Sequence, residues 1–450
     1  MIVNLFLENA YKNLDKYAII SKNKNKTYKE FLTDIQKVLN YLKKNNVNKK
    51  TRVLMLINMS YEMYVSMFAS ILNGLEIVVI DNFKDIKRVN KQLISVDVKN
   101  VFVSSKTSIL KNIFKPLRKK NKINVEKIIK KSKLDEITFD KNINIDLDQN
   151  VLITYTSGGT SNPKAVFRTL NDLTKQMNLT MDLVSDIKED DVVLATLPIY
   201  SLLCLVNGLT IYLPKKKEDL NDVINKVKPT IMFSSISKIL KVKKEAEPVK
   251  NLYFGGSILY NTEAKQIKKM FKNAKIIYIY GATEVSIVST TNLDDYLDNL
   301  NQNKLCLGKV NNKMNVEIID DEIVVSSTLL TNNYVNIKKQ DKHFTKDLGY
   351  LEDNKIYITG RRVKDNIISD YILETIVKKE FDDIFNIAIL KQDGSYHIYL
   401  EEKDIEKRHK IISILDNHID GGILKIVKKL PLDYRHESKI DYKKLLKEVM

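Results

Sequence analysis

Hydrophobic positions in this chain switch between two periods. Short apolar, β-rich runs at 52–57, 76–81 and 101–104 flank a stretch at 61–73 where apolar side chains recur every three or four residues, which predicts strands alternating with helices. That rhythm belongs to α/β layers built around mainly parallel sheets. Residues 111–150 break it: they are lysine-rich and weakly periodic, and read as a surface excursion. Beyond Arg361 the pattern restarts as a smaller unit, with a helix at 373–381, strands at 387–391 and 397–401, a helix at 404–415 and a strand at 423–428. The expected organisation is a large N-terminal domain of layered α/β sheets over 1–359, a hinge at 360–366 and a small C-terminal α+β domain over 367–450.

One segment departs from both periods. Residues 192–214 run for 23 positions without a charged side chain, long enough to cross a bilayer as a helix. Pro198, Asn207 and Gly208 interrupt the run, Asp190 and Asp191 abut it, and no second span exists to pair with it. A place in the protein core accounts for the missing charge without a membrane.

A chain of 450 residues with 44% hydrophobic content can bury a large core and fill more than one domain. Cys204 and Cys306 are its two cysteines, without a CxxC pair, and the five histidines never fall at i, i+4. This excludes a disulfide framework and structural zinc, and suits a reducing cytoplasm. The first ten residues include Glu8 and lack a basic region ahead of an apolar core, so no secretory leader is expected. The net charge of +18 is carried mostly by lysine and spread over predicted helices and loops alike. A solvated surface explains it, and no nucleic acid is expected. Attraction to an anionic membrane face, to coenzyme A phosphates or to an acidic carrier protein is physically compatible with it.

Chemistry enters after the apolar strand 151–155. Thr156, Ser157, Gly158, Gly159, Thr160 and Ser161, followed by Lys164, form a stretch that can be neither helix nor sheet interior. Its glycines free backbone amides to turn toward an oxyanion, its hydroxyls donate, and its lysine adds positive charge. The loop is suited to nucleotide phosphates, although it lacks Walker A spacing. ATP is therefore the first ligand to consider.

Four further motifs follow in order: Tyr280-Gly281-Ala282-Thr283-Glu284 after the apolar run 276–279, Thr345-Lys346-Asp347, Gly360-Arg361, and Arg435-His436-Glu437-Ser438-Lys439 near the C-terminus. With the loop they resemble, in order and spacing, the adenylate-forming superfamily of acyl- and aryl-CoA synthetases, luciferase and nonribosomal adenylation domains, across nearly the whole chain. The resemblance implies that Thr156 to Lys164 cradle the β- and γ-phosphates of ATP, that Glu284 binds magnesium, and that Thr283 meets the α-phosphate. It assigns Tyr280, Gly281 and the turn Gly255-Gly256-Ser257 to the adenine, Asp347 and Arg361 to the ribose hydroxyls, and Lys439 to the transition state of adenylation. It also implies that the C-terminal domain moves. The acyl pocket is expected at Tyr200, Ser201, Cys204 and Val285.

The implied reaction joins a small carboxylic acid to ATP as an acyl-adenylate, releases pyrophosphate, and passes the acyl group to coenzyme A. Ser201 stands where many acyl-CoA synthetases have histidine. No acid lies between 192 and 214 to neutralise an amino acid's ammonium, whose unpaired burial would be costly, so an apolar fatty or aryl acid is favoured. The chain also departs from the family pattern. Lys346 replaces a glycine, Ala165 replaces the glycine after the loop lysine, and no Gly-Gly pair follows Ile367-Ile368-Ser369, where relatives shape a pantetheine tunnel. Transfer to the phosphopantetheine of an acidic acyl carrier protein is thus a second reading. Activation of a 3-hydroxy acid without any thiol, as in β-lactone synthetases, is a third, and a catalytically silent homologue comes last.

Overall fold

The structure is a computed structural model that describes the chain apart from residues 1, 81–82, 84, 135, 140–145, 156–164, 185–186, 216, 332, 335–340, 384, 433–438 and 450. The chain divides into two compact units, Met1–Phe233 with Thr331–Gln340, and Ser234–Leu330 with Asp341–Met450.

The first unit holds a seven-stranded sheet. Its five central and outer strands, Asn150–Tyr155, Glu76–Val78, Arg52–Leu56, Asn100–Val103 and Asn121–Asn124, are parallel in that order, and Ala165–Thr169 and Asn333–Tyr334 add antiparallel beyond the first. Parallel strands need helical crossovers, and the helices Tyr61–Leu72 and Ile86–Val96 supply two of them. Helix Tyr61–Leu72 is buried along its entire length, and its polar residues Glu62, Ser66 and Ser70 share one face at a spacing of four, where Glu62 pairs with Lys24 and Ser66 donates to the Glu62 carbonyl. A second group of strands runs parallel in the order Tyr17–Ser21, Thr210–Tyr212, Val192–Ala195 and Ile231–Ser235. The uncharged stretch 192–214 therefore folds as strand, helix Pro198–Val206 and strand within this core. Among the described residues no helix is long and apolar enough to cross a membrane.

The expected excursion at 111–150 is more ordered than its sequence suggests. Asn121–Asn124 joins the sheet edge beside Asn100–Val103, and Asn124 caps the helix Val125–Lys131 by accepting from the Lys127 N–H. Phe114 and Leu117 reach into the core beside Val89 and Leu93. Spaced single anchors, rather than a continuous apolar face, hold the segment down, and periodicity analysis is blind to such a pattern.

In the second unit Asn251–Gly255 runs parallel to Lys275–Ala282. From there an antiparallel series continues through Ser286–Asn292, Leu305–Val310 and Lys355–Lys364. The long strand Lys355–Lys364 also pairs with Lys342–Glu352, and its last residues pair with Ile367–Asp370. Positions 360–364 are thus strand, turning back through Asp365 and Asn366. After the turn, Ile367–Asp370, Asn386–Gln392 and Ser395–Glu401 are antiparallel, and Ile423–Ile426 closes the sheet in parallel. This terminal sheet has apolar cores on both faces. Leu373, Val377, Ile387, Ile389 and Ile411 belong to one, and Ala388, Leu390, Tyr399 and Leu445 to the other, as period-two alternation in a strand buried on both sides requires.

Candidate active site

Strand pairing builds the centre of the site. Asp347 on Lys342–Glu352 lies directly opposite Arg361 on Lys355–Lys364, so their side chains share one face at cross-strand distance. Arg361 donates from a guanidinium nitrogen to Asp347 Oδ1, and the Tyr280 hydroxyl donates to Asp347 Oδ2 at 2.8 Å. Asp347 is 8% exposed. Burial and the neighbouring Asp347 carboxylate push the Tyr280 hydroxyl well above its usual range. The same carboxylate raises Arg361 further above its already high value. Arg361 is therefore cationic and Tyr280 neutral across the physiological range. Each carboxylate oxygen retains a second lone pair, so Asp347 can still accept from a sugar hydroxyl.

The part of strand Lys342–Glu352 around Asp347 is fixed by polar groups of its own and of the strand Glu322–Ser326. The Asp347 N–H donates to Thr345 Oγ1 at 3.0 Å, and Thr345 Oγ1 donates to the Ile323 carbonyl at 2.7 Å. The Lys346 N–H donates to Glu322 Oε1 at 2.7 Å. Lys346 itself has φ 66°, the left-handed conformation for which glycine is the natural choice.

Tyr280, Gly281 and Ala282 end the strand Lys275–Ala282, and Thr283, Glu284 and Val285 form the turn into Ser286–Asn292. Glu284 is 8% exposed and Val285 is fully buried. The strand end thus holds Glu284 beside the strand that carries Tyr280. The glycines here have structural causes. A Cβ on Gly255 would lie 2.1 Å from the Ile279 carbonyl oxygen, and one on Gly281 would lie 1.8 Å from that of Ser286. The adjacent strand therefore gives each of these two glycines a steric reason to lack a side chain. Gly256 follows at φ 100°, and the Ser257 carbonyl accepts from the Tyr278 hydroxyl at 2.7 Å.

Sequence reasoning passed over His343. It shares the inward face of Lys342–Glu352 with Thr345 and Asp347, by the alternation of the strand. Burial lowers its pKa below the usual histidine value, while Glu284, Asp347 and Glu322 act in the opposite direction. A count of residues at every second position back from Asp347 would have found it.

Other expected residues are placed as follows. Thr156 to Lys164 lie outside the described residues. Lys439 is half-buried beside the short bridge between Leu432 and Ile440. In the first unit the Tyr200 ring stacks on Phe233, with centroids 4.7 Å apart and an 8° interplanar angle. Ser201 is fully buried with its hydroxyl toward the Ala195 carbonyl, and burial pushes the Cys204 thiol up to about 12. Ser201 and Cys204 thus face core rather than solvent. Among the described residues, no group of three or more His, Cys, Asp or Glu side chains could hold a metal. A magnesium ion carried by phosphates needs only one or two protein carboxylates, and Glu284 can supply one.

The scaffold is that of adenylate-forming enzymes. The structure resembles o-succinylbenzoate coenzyme A synthetase from Bacillus subtilis in complex with AMP, with a TM-score of 0.81 and 17% identity over 98% of each chain. It also resembles an anthranilate CoA ligase in complex with anthranoyl-AMP, with a TM-score of 0.82 and 15% identity over 99% of this chain and 96% of that one. The sequence profile of the AMP-binding enzymes matches residues 6–327, and the chain belongs to that family. Among curated relatives, a putative long chain fatty acid-CoA ligase from Staphylococcus haemolyticus is 22% identical over 50% of this chain and 52% of its own length. The D-alanine–D-alanyl carrier protein ligase of Staphylococcus epidermidis is 23% identical over 80% of this chain and 78% of its own. A 2-succinylbenzoate–CoA ligase from Bacillus pumilus is 24% identical over 62% and 58%. The chain thus spans about half the length of two of these relatives.

Proposed function

We propose that this protein uses ATP to activate a small apolar carboxylic acid, fatty or aryl, and transfers the acyl group to coenzyme A. The observation that carries the reading is the Tyr280–Asp347–Arg361 cluster, with Glu284 on the turn after the Tyr280 strand, in a chain of the AMP-binding family. In the first step a carboxylate oxygen attacks the α-phosphorus, the bond to the bridging oxygen of the β-phosphate breaks, and pyrophosphate leaves. Asp347 and Arg361 hold the ribose, Tyr280 and the 255–257 turn border the base, and Thr283 contacts the α-phosphate. Magnesium, when bound at Glu284, offsets negative charge on the phosphates. Lys439 donates to the oxygens where charge develops. In the second step the thiol loses its proton, its sulfur attacks the acyl carbonyl, and AMP departs. Movement of 367–450 about the 360–366 strand end exchanges the two steps.

Transfer to a carrier-protein phosphopantetheine is the second reading, favoured by the likeness to a carrier protein ligase over 80% of this chain. Magnesium-ATP with fatty, aryl, 3-hydroxy and amino acids, with and without coenzyme A, separates the alternatives by pyrophosphate exchange and AMP release. Acid-dependent exchange with coenzyme A-dependent turnover is expected. Lys439→Ala is expected to lose on the order of 100- to 1000-fold in exchange, the usual cost of one transition-state donor. Failure of every acid to support exchange, while ATP still binds, would favour a silent homologue.

A further inference from the structure

A distinct surface of the first unit combines charge with exposed apolar groups. Between residues 86 and 122 the sequence holds eleven lysines and arginines and a single acid, Asp97, which is already paired with Lys120 at 3.1 Å. In the same span four isoleucines stand in solvent: Ile94 at 71% exposure, Ile109 at 73%, Ile86 at 45% and Ile113 at 44%. Exposed isoleucine is ordinary when scattered, whereas a cluster rimmed by polar groups marks an interaction site.

Two elements in contact carry these side chains. The helix Ile86–Val96 buries Val89, Leu93 and Val96 and leaves Ile86, Asn90 and Ile94 along one flank at a spacing of four, with Lys87 and Lys91 beside them. The segment with the 3-10 turns Leu110–Asn112 and Lys115–Leu117 packs its Phe114 and Leu117 into the same apolar cluster as Val89 and Leu93. It leaves Ile109 and Ile113 outside, with Lys106 and Lys115 exposed near them. Each element therefore commits its inward apolar residues to the core and has a further pair with no intramolecular use.

We propose that this face docks peripherally onto an anionic lipid bilayer, with the lysines drawn to lipid headgroups and Ile94, Ile109 and Ile113 entering the interface. Charge complementarity selects the partner: a concentrated basic patch is attracted to an anionic leaflet. The aliphatic side chains distinguish a bilayer from a nucleic acid, because hydrocarbon accepts isoleucine while a phosphate backbone offers it nothing. The docking does not depend on the proposed catalytic reaction.

Sedimentation with vesicles of phosphatidylcholine, with and without phosphatidylglycerol, tests the proposal. Binding is expected only to the phosphatidylglycerol vesicles, and to fall about tenfold or more as salt rises from about 0.1 M to about 1 M, where the screening length shrinks from about 10 to about 3 Å. Replacing Ile94, Ile109 and Ile113 together with serine is expected to weaken binding at low salt while circular dichroism stays unchanged. The chain contains no tryptophan, so Ile109→Trp introduces a single fluorescent reporter at the proposed insertion point. Its emission is expected to shift to the blue and to be quenched by brominated lipid. Equal binding to neutral vesicles, or an indole emission in the Ile109→Trp variant unmoved by phosphatidylglycerol, would overturn the proposal. Tight RNA binding that is indifferent to the three serines would replace it with a polyanion site.

Discussion

Lys346 carries a cost that its neighbours make worthwhile. Its backbone sits at φ 66°, which costs an ordinary residue about 1–2 kcal/mol relative to the right-handed region, and it does so between Thr345 and Asp347, both tied by hydrogen bonds. Glycine would relieve that strain but would gain freedom in the unfolded chain worth up to about 1 kcal/mol. Lys346→Gly should therefore raise stability by about 0.5–1 kcal/mol, read as a higher denaturant midpoint at constant slope. A lower midpoint would mean that the lysine side chain contributes something its strand neighbours conceal. The sequence flagged this position as a departure from the family pattern. Only the dihedral angle shows that the chain kept glycine's conformation without glycine.

Pairing of elements makes the site. Asp347 and Arg361 are fourteen positions apart in sequence, and each alone is an unremarkable charged residue. The antiparallel register of Lys342–Glu352 with Lys355–Lys364 makes them partners. Because they act through one contact, losses on replacing them should not add. Asp347→Ala and Arg361→Ala are each expected to weaken AMP binding about tenfold or more, with the double variant little worse than either, as titration calorimetry of all four proteins would reveal. Additive losses would show two independent contributions. At this scale the strands and helices of the sheet cores were legible because their apolar periods are strong. Helix Tyr371–Lys379 begins two residues before its expected start because Asp370 accepts from the Leu373 N–H at 3.0 Å, a capping signal stronger than the onset of periodicity. The 111–150 segment was misjudged because its few anchors are separated by lysines.

At the scale of the whole molecule, the C-terminal segment is tied to the rest of its unit through a buried carboxyl. Glu374 is 1% exposed. Its Oε1 accepts from the Ile389 N–H at 3.1 Å, Tyr260 donates to Oε2, and the Lys378 ammonium lies 3.7 Å from the Tyr260 ring centroid. Burial pushes Glu374 up from its usual 4.5 to about 7, against the pull of Tyr260 and Lys378. Below pH 4.5 the group is protonated in folded and unfolded chains alike. As pH rises to 7 the unfolded chain ionises first, so stability falls, and above 7 the penalty stays constant at about 3 kcal/mol. Glu374→Gln should raise the melting temperature at pH 8 relative to pH 5, compared with the native protein. A difference that does not change with pH would assign Glu374 an ionised state throughout. Nothing in the sequence distinguished Glu374 from its many charged neighbours, since its effect arises from burial beside Ile389 and beside Tyr260, which is more than a hundred positions away. The sequence by itself determined the family, the α/β layering and the order of the motifs, because those reside in local periodicity and in residue types fixed by chemistry. Tertiary structure alone decided that Gly255 answers to Ile279, that Asp347 meets Arg361 and Tyr280, that His343 shares their strand face, and that Glu374 is buried. Each depends on strand register and burial, which bring together residues that no local pattern connects.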